Sequence, residues 1–211
     1  MSSVKADRFT SFKFILMMGR ADRRARAPYA SLRWTHAPSP WEKRIVPMVE
    51  PSTLDPVARK ATLRLFTYGL YAVGVSRGGE KNLFTANWLT QVSFDPPLIA
   101  LSVEDDSHSI ELLRDNGVFA ISVFASDDRE KAGALGKRWE LRPNKIDEVE
   151  YELGITGCPI LTDALGAIEC RVTGSMPAGD STIFLGEVIL ARVGREGIPL
   201  TMSAAGFRHA G

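Results

Sequence analysis

Residues 84–97 read Phe-Thr-Ala-Asn-Trp-Leu-Thr-Gln-Val-Ser-Phe-Asp-Pro-Pro. Side chains along a strand alternate between its two faces. Taken from Asn82 to Phe94, the even positions hold Phe84, Ala86, Trp88, Thr90, Val92 and Phe94, and the odd positions include Thr85, Asn87, Gln91 and Ser93. The pattern predicts one long strand with a largely apolar face and a second face of hydroxyls and amides that carries no charge. Asp95-Pro96-Pro97 ends it, because proline has no N–H for a ladder. A neutral polar face suits a ligand rich in uncharged donors and acceptors. It equally suits the wet outer face of a half-exposed strand, and spacing alone does not separate the two.

Working outward, Asp55 to Phe66 reads as a helix, with Asp55 as N-cap and Pro56 at the first helical position. Leu70 to Ser76 reads as a strand and Gly78-Gly79 as a hairpin turn. Downstream, Leu98 to Val103 is nearly all apolar and predicts a strand covered on both faces. A polar loop, Glu104 to Ser109, leads into a helix over Ile110 to Asn116, which Gly117 stops. Val118 to Phe124 predicts a buried strand and Asp127 to Leu141 a helix. Residues 142–163 read as irregular. Two strands follow, Ala164 to Ser175 and Thr182 to Val193, joined by a turn-rich connection. About six strands with few intervening helices exclude a doubly wound sheet. They predict a mainly β fold with peripheral helices, built on a β-barrel or Greek-key core.

The net charge of +1 argues against a general nucleic-acid binder. No apolar run approaches the roughly 20 residues that span a bilayer. Residues 1–47 hold ten Lys/Arg against three Asp/Glu, a net +7, and residues 48–211 hold sixteen against twenty-two, a net −6. The expected organisation is therefore a basic, poorly ordered leader over 1–47 and one domain over 48–211. The leader matches a secretory signal poorly. It fits an organelle transit peptide, or upstream sequence before a true start at Met48, and the second reading is preferred. Cys158 and Cys170 form no CxxC pair and the three histidines are scattered, so no metal site is expected. Two reduced, buried thiols suit a cytoplasmic protein.

The sequence lacks GxGxxG after a strand, GxxxxGK[ST], GxSxG and HExxH, which disfavours a Rossmann cofactor site and common ATPase, serine hydrolase and metalloprotease chemistry. What it does contain is an ordered set of segments. These are Tyr68-Gly69-Leu70-Tyr71-Ala72-Val73, Thr85-Ala86-Asn87-Trp88, Ser93-Phe94-Asp95-Pro96-Pro97-Leu98, Ser107-His108 before a helix, and Gly117 to Val123. Gly157-Cys158-Pro159-Ile160-Leu161 and Asp180 to Val188 follow. In this order they resemble the flavin reductase-like family, with its FMN-binding split β-barrel. The resemblance runs from about Ala61 to Phe207.

The resemblance implies that the Phe84–Ser93 segment lines a flavin, FMN or alternatively FAD. Thr85, Ala86, Asn87 and Trp88 would contact the ribityl and phosphate region, and Gln91, Val92 and Ser93 the ring. The loop at Ser107, His108 and Ser109 would hold the phosphate, since hydroxyls and free N–H groups at a helix N-terminus bind anions. Either serine could instead be a plain N-cap, and the neighbouring Glu104, Asp105 and Asp106 would repel phosphate unless they turn away. Phe207 would cover the flavin or merely pack, and His209 reads as a tail residue. The family often carries Gly-Asp-His near the nicotinamide side. Here the turn is Gly179-Asp180-Ser181, and the missing imidazole argues against efficient use of NAD(P)H. The flavin lies at a subunit interface in this family, which implies a homodimer.

The resulting expectation is an NAD(P)H:flavin oxidoreductase, with NAD(P)H as co-substrate, that supplies reduced flavin to a partner monooxygenase. No acid–base dyad is required, because the cofactor carries the chemistry. The alternatives are an electron carrier reduced by a redox protein partner, and a non-catalytic binding module on the same barrel.

Overall fold

The computed structural model describes residues 55–208. The leader over 1–47 and His209 lie outside the described residues. The first element among the described residues is α1 (Pro56–Leu63), where the Asp55 carboxylate accepts from Val57 N at 2.9 Å. The helix is shorter than expected and buries none of its residues. Next come β1 (Tyr71–Arg77) and β2 (Glu80–Ala86), joined by Gly78 and Gly79. Both glycines have positive φ, which a tight hairpin turn of this hand requires.

The single strand expected over Asn82–Phe94 is two strands, which corrects the sequence reading. β2 ends at Ala86 and β3 (Leu89–Phe94) begins after two intervening residues. β2 pairs with β1, whereas β3 pairs with β4 (Pro97–Glu104). At Asn87 and Trp88 the chain changes partner, and the Trp88 carbonyl is taken up by Ser102 N at 3.0 Å. An alternating pattern continues through such a break unmarked, because each half still obeys the two-residue period.

α2 (His108–Asn116), capped by Gly117 in the left-handed region, leads to β5 (Val118–Val123). α3 (Arg129–Leu135) stops at Gly136, well short of the predicted Leu141. The region read as irregular holds a short 3-10 turn, Lys145–Glu148, and a small hairpin of β6 (Tyr151–Leu153) and β7 (Pro159–Leu161). The long hairpin β8 (Gly166–Ala178) and β9 (Ser181–Val193) turns at Gly179-Asp180, and α4 (Met202–Ala205) follows. β1 to β5, β8 and β9 form one antiparallel sheet in the order β2-β1-β5-β8-β9-β4-β3. β2 and β3, consecutive in the chain, therefore stand at its two edges.

The alternation in β1 shows how two cores form. Val73 and Val75 face one core, with α2 (Ile110, Leu112, Leu113), Phe119 and Phe184. Leu70 and Ala72 face the other, with Phe124, Ala132, Leu135 and Leu200 under α3 and α4. β4 alternates too: Ile99, Leu101 and Val103 are buried, while Leu98, Ala100 and Ser102 are half-buried rather than fully covered. Cys170 is fully buried, and desolvation beside Glu169 pushes its thiol up to about 12. Burial also raises Cys158, whose Sγ lies 3.6 Å from Ser76 Oγ. Both thiols are buried and structural. Glu169 is buried as well. It accepts from Ile155 N, Thr156 N and Thr156 Oγ1, which fastens the loop between β6 and β7 to the sheet.

Candidate functional site

The strand change after Ala86 creates the site. β2 ends at a sheet edge, so side chains of both its faces reach one opening between the start of α2 and the segment that follows α3. A cavity of about 150 Å³ lies there. β2 and the crossing contribute Thr85, Ala86, Asn87 and Trp88, and the start of α2 contributes Ser107, His108 and Ser109. Leu135 to Glu140 and Lys145 form the facing wall. Seven residues named from the sequence are thus brought together from distant parts of the chain.

Their hydrogen bonds show what each has to offer. Thr85 Oγ1 donates to Ala132 O at 2.7 Å, so this hydroxyl docks α3 onto β2 and presents only acceptor capacity to the cavity. Asn82 is buried; its Nδ2 donates to Ser109 Oγ at 2.9 Å, while its Oδ1 is buried without a hydrogen-bond partner. The Ser107 hydroxyl is buried and unpartnered as well. Ser107 stands at the N-cap position of α2 with extended backbone, yet its side chain makes no capping bond. Buried polar atoms ordinarily find partners, so two unpaired ones facing one cavity mark a place for a ligand. The residues present fit a phosphorylated, hydroxyl-rich cofactor such as a flavin nucleotide. Ser107 and the free N–H groups of α2 suit a phosphate, and Asn82 Oδ1 suits a hydroxyl donor.

Glu104 and Asp106 of the acidic loop line the same cavity, and two of the loop's three carboxylates are ion-paired. Asp105 is engaged by Arg114 at 2.9 Å and by the Thr182 hydroxyl at 2.6 Å. Asp106 takes Arg138 at 3.0 Å. Arg138 sits beside Trp139, whose ring stacks on His108 with centroids 4.2 Å apart. His108 Nε2 lies 3.0 Å from the Glu80 carboxylate, out of line for a full hydrogen bond.

Gln91, Val92 and Ser93 line neither this cavity nor a second one; Gln91 Nε2 donates to the Ser93 carbonyl at 3.0 Å. Asp180 and Ser181 also stand outside both. Ser181 is buried and donates to Asp180 Oδ1 at 3.1 Å, and the Asp180 carbonyl accepts from Asp105 N. Phe207 lines the second cavity, of about 540 Å³, together with Phe66, Tyr68, Trp88 and Met202. The Arg129 guanidinium lies 5.5 Å from the Phe207 ring centroid. Asn87 Nδ2 lies 3.0 Å from Met202 Sδ, and Trp88 lines both cavities, so the crossing segment is their shared wall. Lys60, Arg64 and Arg208 also line the second cavity, and among the described residues no carboxylate does. Sequence reasoning missed Asn82, the wall at 135–140 and Lys145. None belongs to a motif, and each is placed by long-range packing.

Comparison with known proteins accords with this geometry. Residues 63–211 match the family described as Flavin reductase like domain. The reductase component of 4-hydroxyphenylacetate 3-monooxygenase from Thermus thermophilus is 30% identical over 152 residues, covering 72% of this chain and 95% of that protein. The NADH:FAD oxidoreductase SgcE6 of Streptomyces globisporus, solved in complex with NAD and FAD fragments, superposes with a TM-score of 0.65. It is 30% identical, and the match covers 75% of this chain and 96% of that one. A Rhizobium meliloti protein named "Probable flavin reductase" is 32% identical over 135 residues, and the match spans only 42% of its length. The chain belongs to the flavin reductase-like family. No helix among the described residues is long and apolar enough to cross a membrane.

Proposed function

We propose that this chain binds FMN, with FAD as the alternative, and reduces it with NADH or NADPH. The observation that carries the reading is the cavity at the end of β2, where Ser107 Oγ and Asn82 Oδ1 are buried without partners at the start of α2. In this reading the sheet is an FMN-binding split barrel, and residues 48–211 are its domain. Ser107, His108 and Ser109 hold the phosphate against the α2 N-terminus, and Asn82 and Asn87 orient the sugar-alcohol chain. Trp88, Phe66, Tyr68 and Phe207 exclude water from the ring end. The basic side chains beside the second cavity attract an anionic nicotinamide nucleotide. When bound, the flavin supplies hydride and electron transfer. No residue of the chain has to donate or remove a proton for that step.

The deciding experiment is anaerobic. Adding NADH or NADPH to the flavin-loaded protein is expected to bleach the visible flavin absorption within a turnover. Bleaching by a redox protein donor and by neither nucleotide would instead make the chain an electron carrier, the reading that Ser181 favours. The relative named as the reductase component of 4-hydroxyphenylacetate 3-monooxygenase supports a monooxygenase as the consumer of the reduced flavin. The two free, buried thiols support a cytoplasmic setting.

Homodimerisation belongs to the same proposal. Val92, Phe94 and Val193 are apolar strand residues left exposed, Phe94 at 91%. A second copy covering them would bring Gln91, Val92 and Ser93 to a shared site. Phe94→Asp is expected to weaken self-association by about 30-fold or more, the scale of a central interface residue, with flavin affinity falling alongside. Sedimentation velocity of the wild type showing only monomer would sink this part.

A further inference from the structure

Lys145 is one of three buried charged residues among those described, with Asp128 and Glu169, and the sole cation of the three. Asp128 has Lys131 and Arg195 for partners, and Glu169 accepts from a loop. Among the described residues, no carboxylate lies within ion-pair distance of Lys145. Its Nζ donates to Leu135 O at 2.7 Å and to Lys137 O at 2.6 Å. The first is the last carbonyl of α3, which lacks a helical donor of its own, and the second lies just past the Gly136 cap. An ammonium has three N–H bonds, so one remains. Leu135, Lys137 and Lys145 all line the cavity that holds the unpartnered Ser107 hydroxyl.

Fastening the end of α3 and the residues just after it explains two of the three bonds but not the choice of a charged group. Burying an unpaired ammonium is costly, and a neutral donor would cap a helix end as well. The cost is recovered where an anion arrives. We propose that Lys145 is the residue by which this chain tells a phosphorylated flavin from riboflavin, its remaining N–H and its charge being directed to the phosphate. The proposal rests on the flavin reading above and adds the ligand feature that is recognised and the group that recognises it.

The surroundings fix the expected pH dependence. Burial depresses Lys145 to about 8, with Glu140 acting weakly in the opposite direction. Across the cavity stand Glu104, Asp106 and His108. Lys137 and Arg138 share the wall with Glu140, and Arg138 is engaged by Asp106 and Glu140. Asp147 and Glu148 lie on the same 3-10 turn as Lys145, and Glu148 is engaged by Arg142. β2 brings Asn82, Phe84 and Thr85 to the cavity and no charge. In the free protein Lys145 is therefore charged below about pH 8 and neutral above it. A phosphate is already dianionic above pH 7, its second ionisation lying near 6.

The test uses the full-length chain freed of flavin, titrated with FMN and separately with riboflavin by quenching of flavin fluorescence between pH 7 and pH 9.5. The wild type is expected to prefer FMN, and the preference to shrink as pH rises through the upper part of that range. Lys145→Met is expected to lose about 10- to 100-fold of the FMN preference while keeping its riboflavin affinity. Lys145→Arg is expected to restore part of the preference. If both affinities fall equally in Lys145→Met, the lysine only positions α3 and the proposal is overturned. Should that variant fail to fold, the wild-type series decides, and a preference that is constant across the pH range overturns it. A wild type that binds neither ligand removes the flavin reading itself, a result distinct from binding both equally, which removes only the role of Lys145.

Discussion

Replacing Phe119 by alanine is expected to cost the fold about 3–5 kcal/mol, the range for deleting a fully buried aromatic ring. Phe119 is completely buried on β5 within the core packed under α2. It pairs with Cys170 on β8, and its ring crosses that strand to rest on Gly186 of β9. A Cβ at Gly186 would stand 2.4 Å from Phe119 Cζ and 2.9 Å from Cys170 Cβ. Gly186→Ala alone is therefore expected to destabilise by overpacking, about 1–3 kcal/mol. The ring and the missing side chain are two halves of one contact, so the changes should not add. Phe119→Leu combined with Gly186→Ala is expected to be more stable than the sum of the single variants by about 1 kcal/mol or more. Urea denaturation of the four proteins measures this directly. Strict additivity would show that the ring does not rest on Gly186.

This contact also illustrates what the sequence conceals. Gly78-Gly79, Gly117 and Asp55-Pro56 announce a turn, a helix stop and a helix start, because each satisfies a local backbone requirement, and all three are found where they were read. The long strands β8 and β9 and the mixed order of strands and helices were legible for the same reason. Gly186 sits in an extended strand with no positive φ, and its need arises only from a ring two strands away. The break at Asn87-Trp88 was invisible because residues on both sides keep the strand period. The paired strands β6 and β7 are three residues each, too short for any period to show. In the candidate site, Ser107 and His108 stood out as polar residues before a helix, and Asn87 as an amide on the uncharged polar face of a strand. Lys145 did not: a lysine between Asn144 and Ile146 reads as solvated, and only the packing of its turn under α3 buries it.

Ser107→Asp is expected to move stability and ligand binding in opposite directions. Ser107 has the extended backbone of an N-cap (φ −86°, ψ 141°) but makes no side-chain capping bond. Aspartate is among the best N-cap residues, and its charge faces the positive end of the α2 dipole. The free protein should therefore gain stability, by about 0.5–1 kcal/mol, read as a rise in Tm. The same carboxylate would occupy the N–H groups that the phosphate reading assigns to the ligand, and would stand as a fixed negative charge where a dianion must sit. Asp105 and Asp106 are neutralised by Arg114 and Arg138, whereas a carboxylate at Ser107 would compete with the phosphate for the charge of Lys145 in the same cavity. FMN affinity should fall about 100-fold or more, as expected for a lost charge-assisted bond with added repulsion. Riboflavin, which carries no phosphate, should bind within a few-fold of the wild type. A serine that served only to start the helix would leave FMN binding intact while the helix gained its cap. A stabilised variant that still binds FMN as tightly as the wild type would therefore remove the phosphate from the α2 N-terminus, leaving the unpartnered hydroxyl of Ser107 without a ligand to explain it.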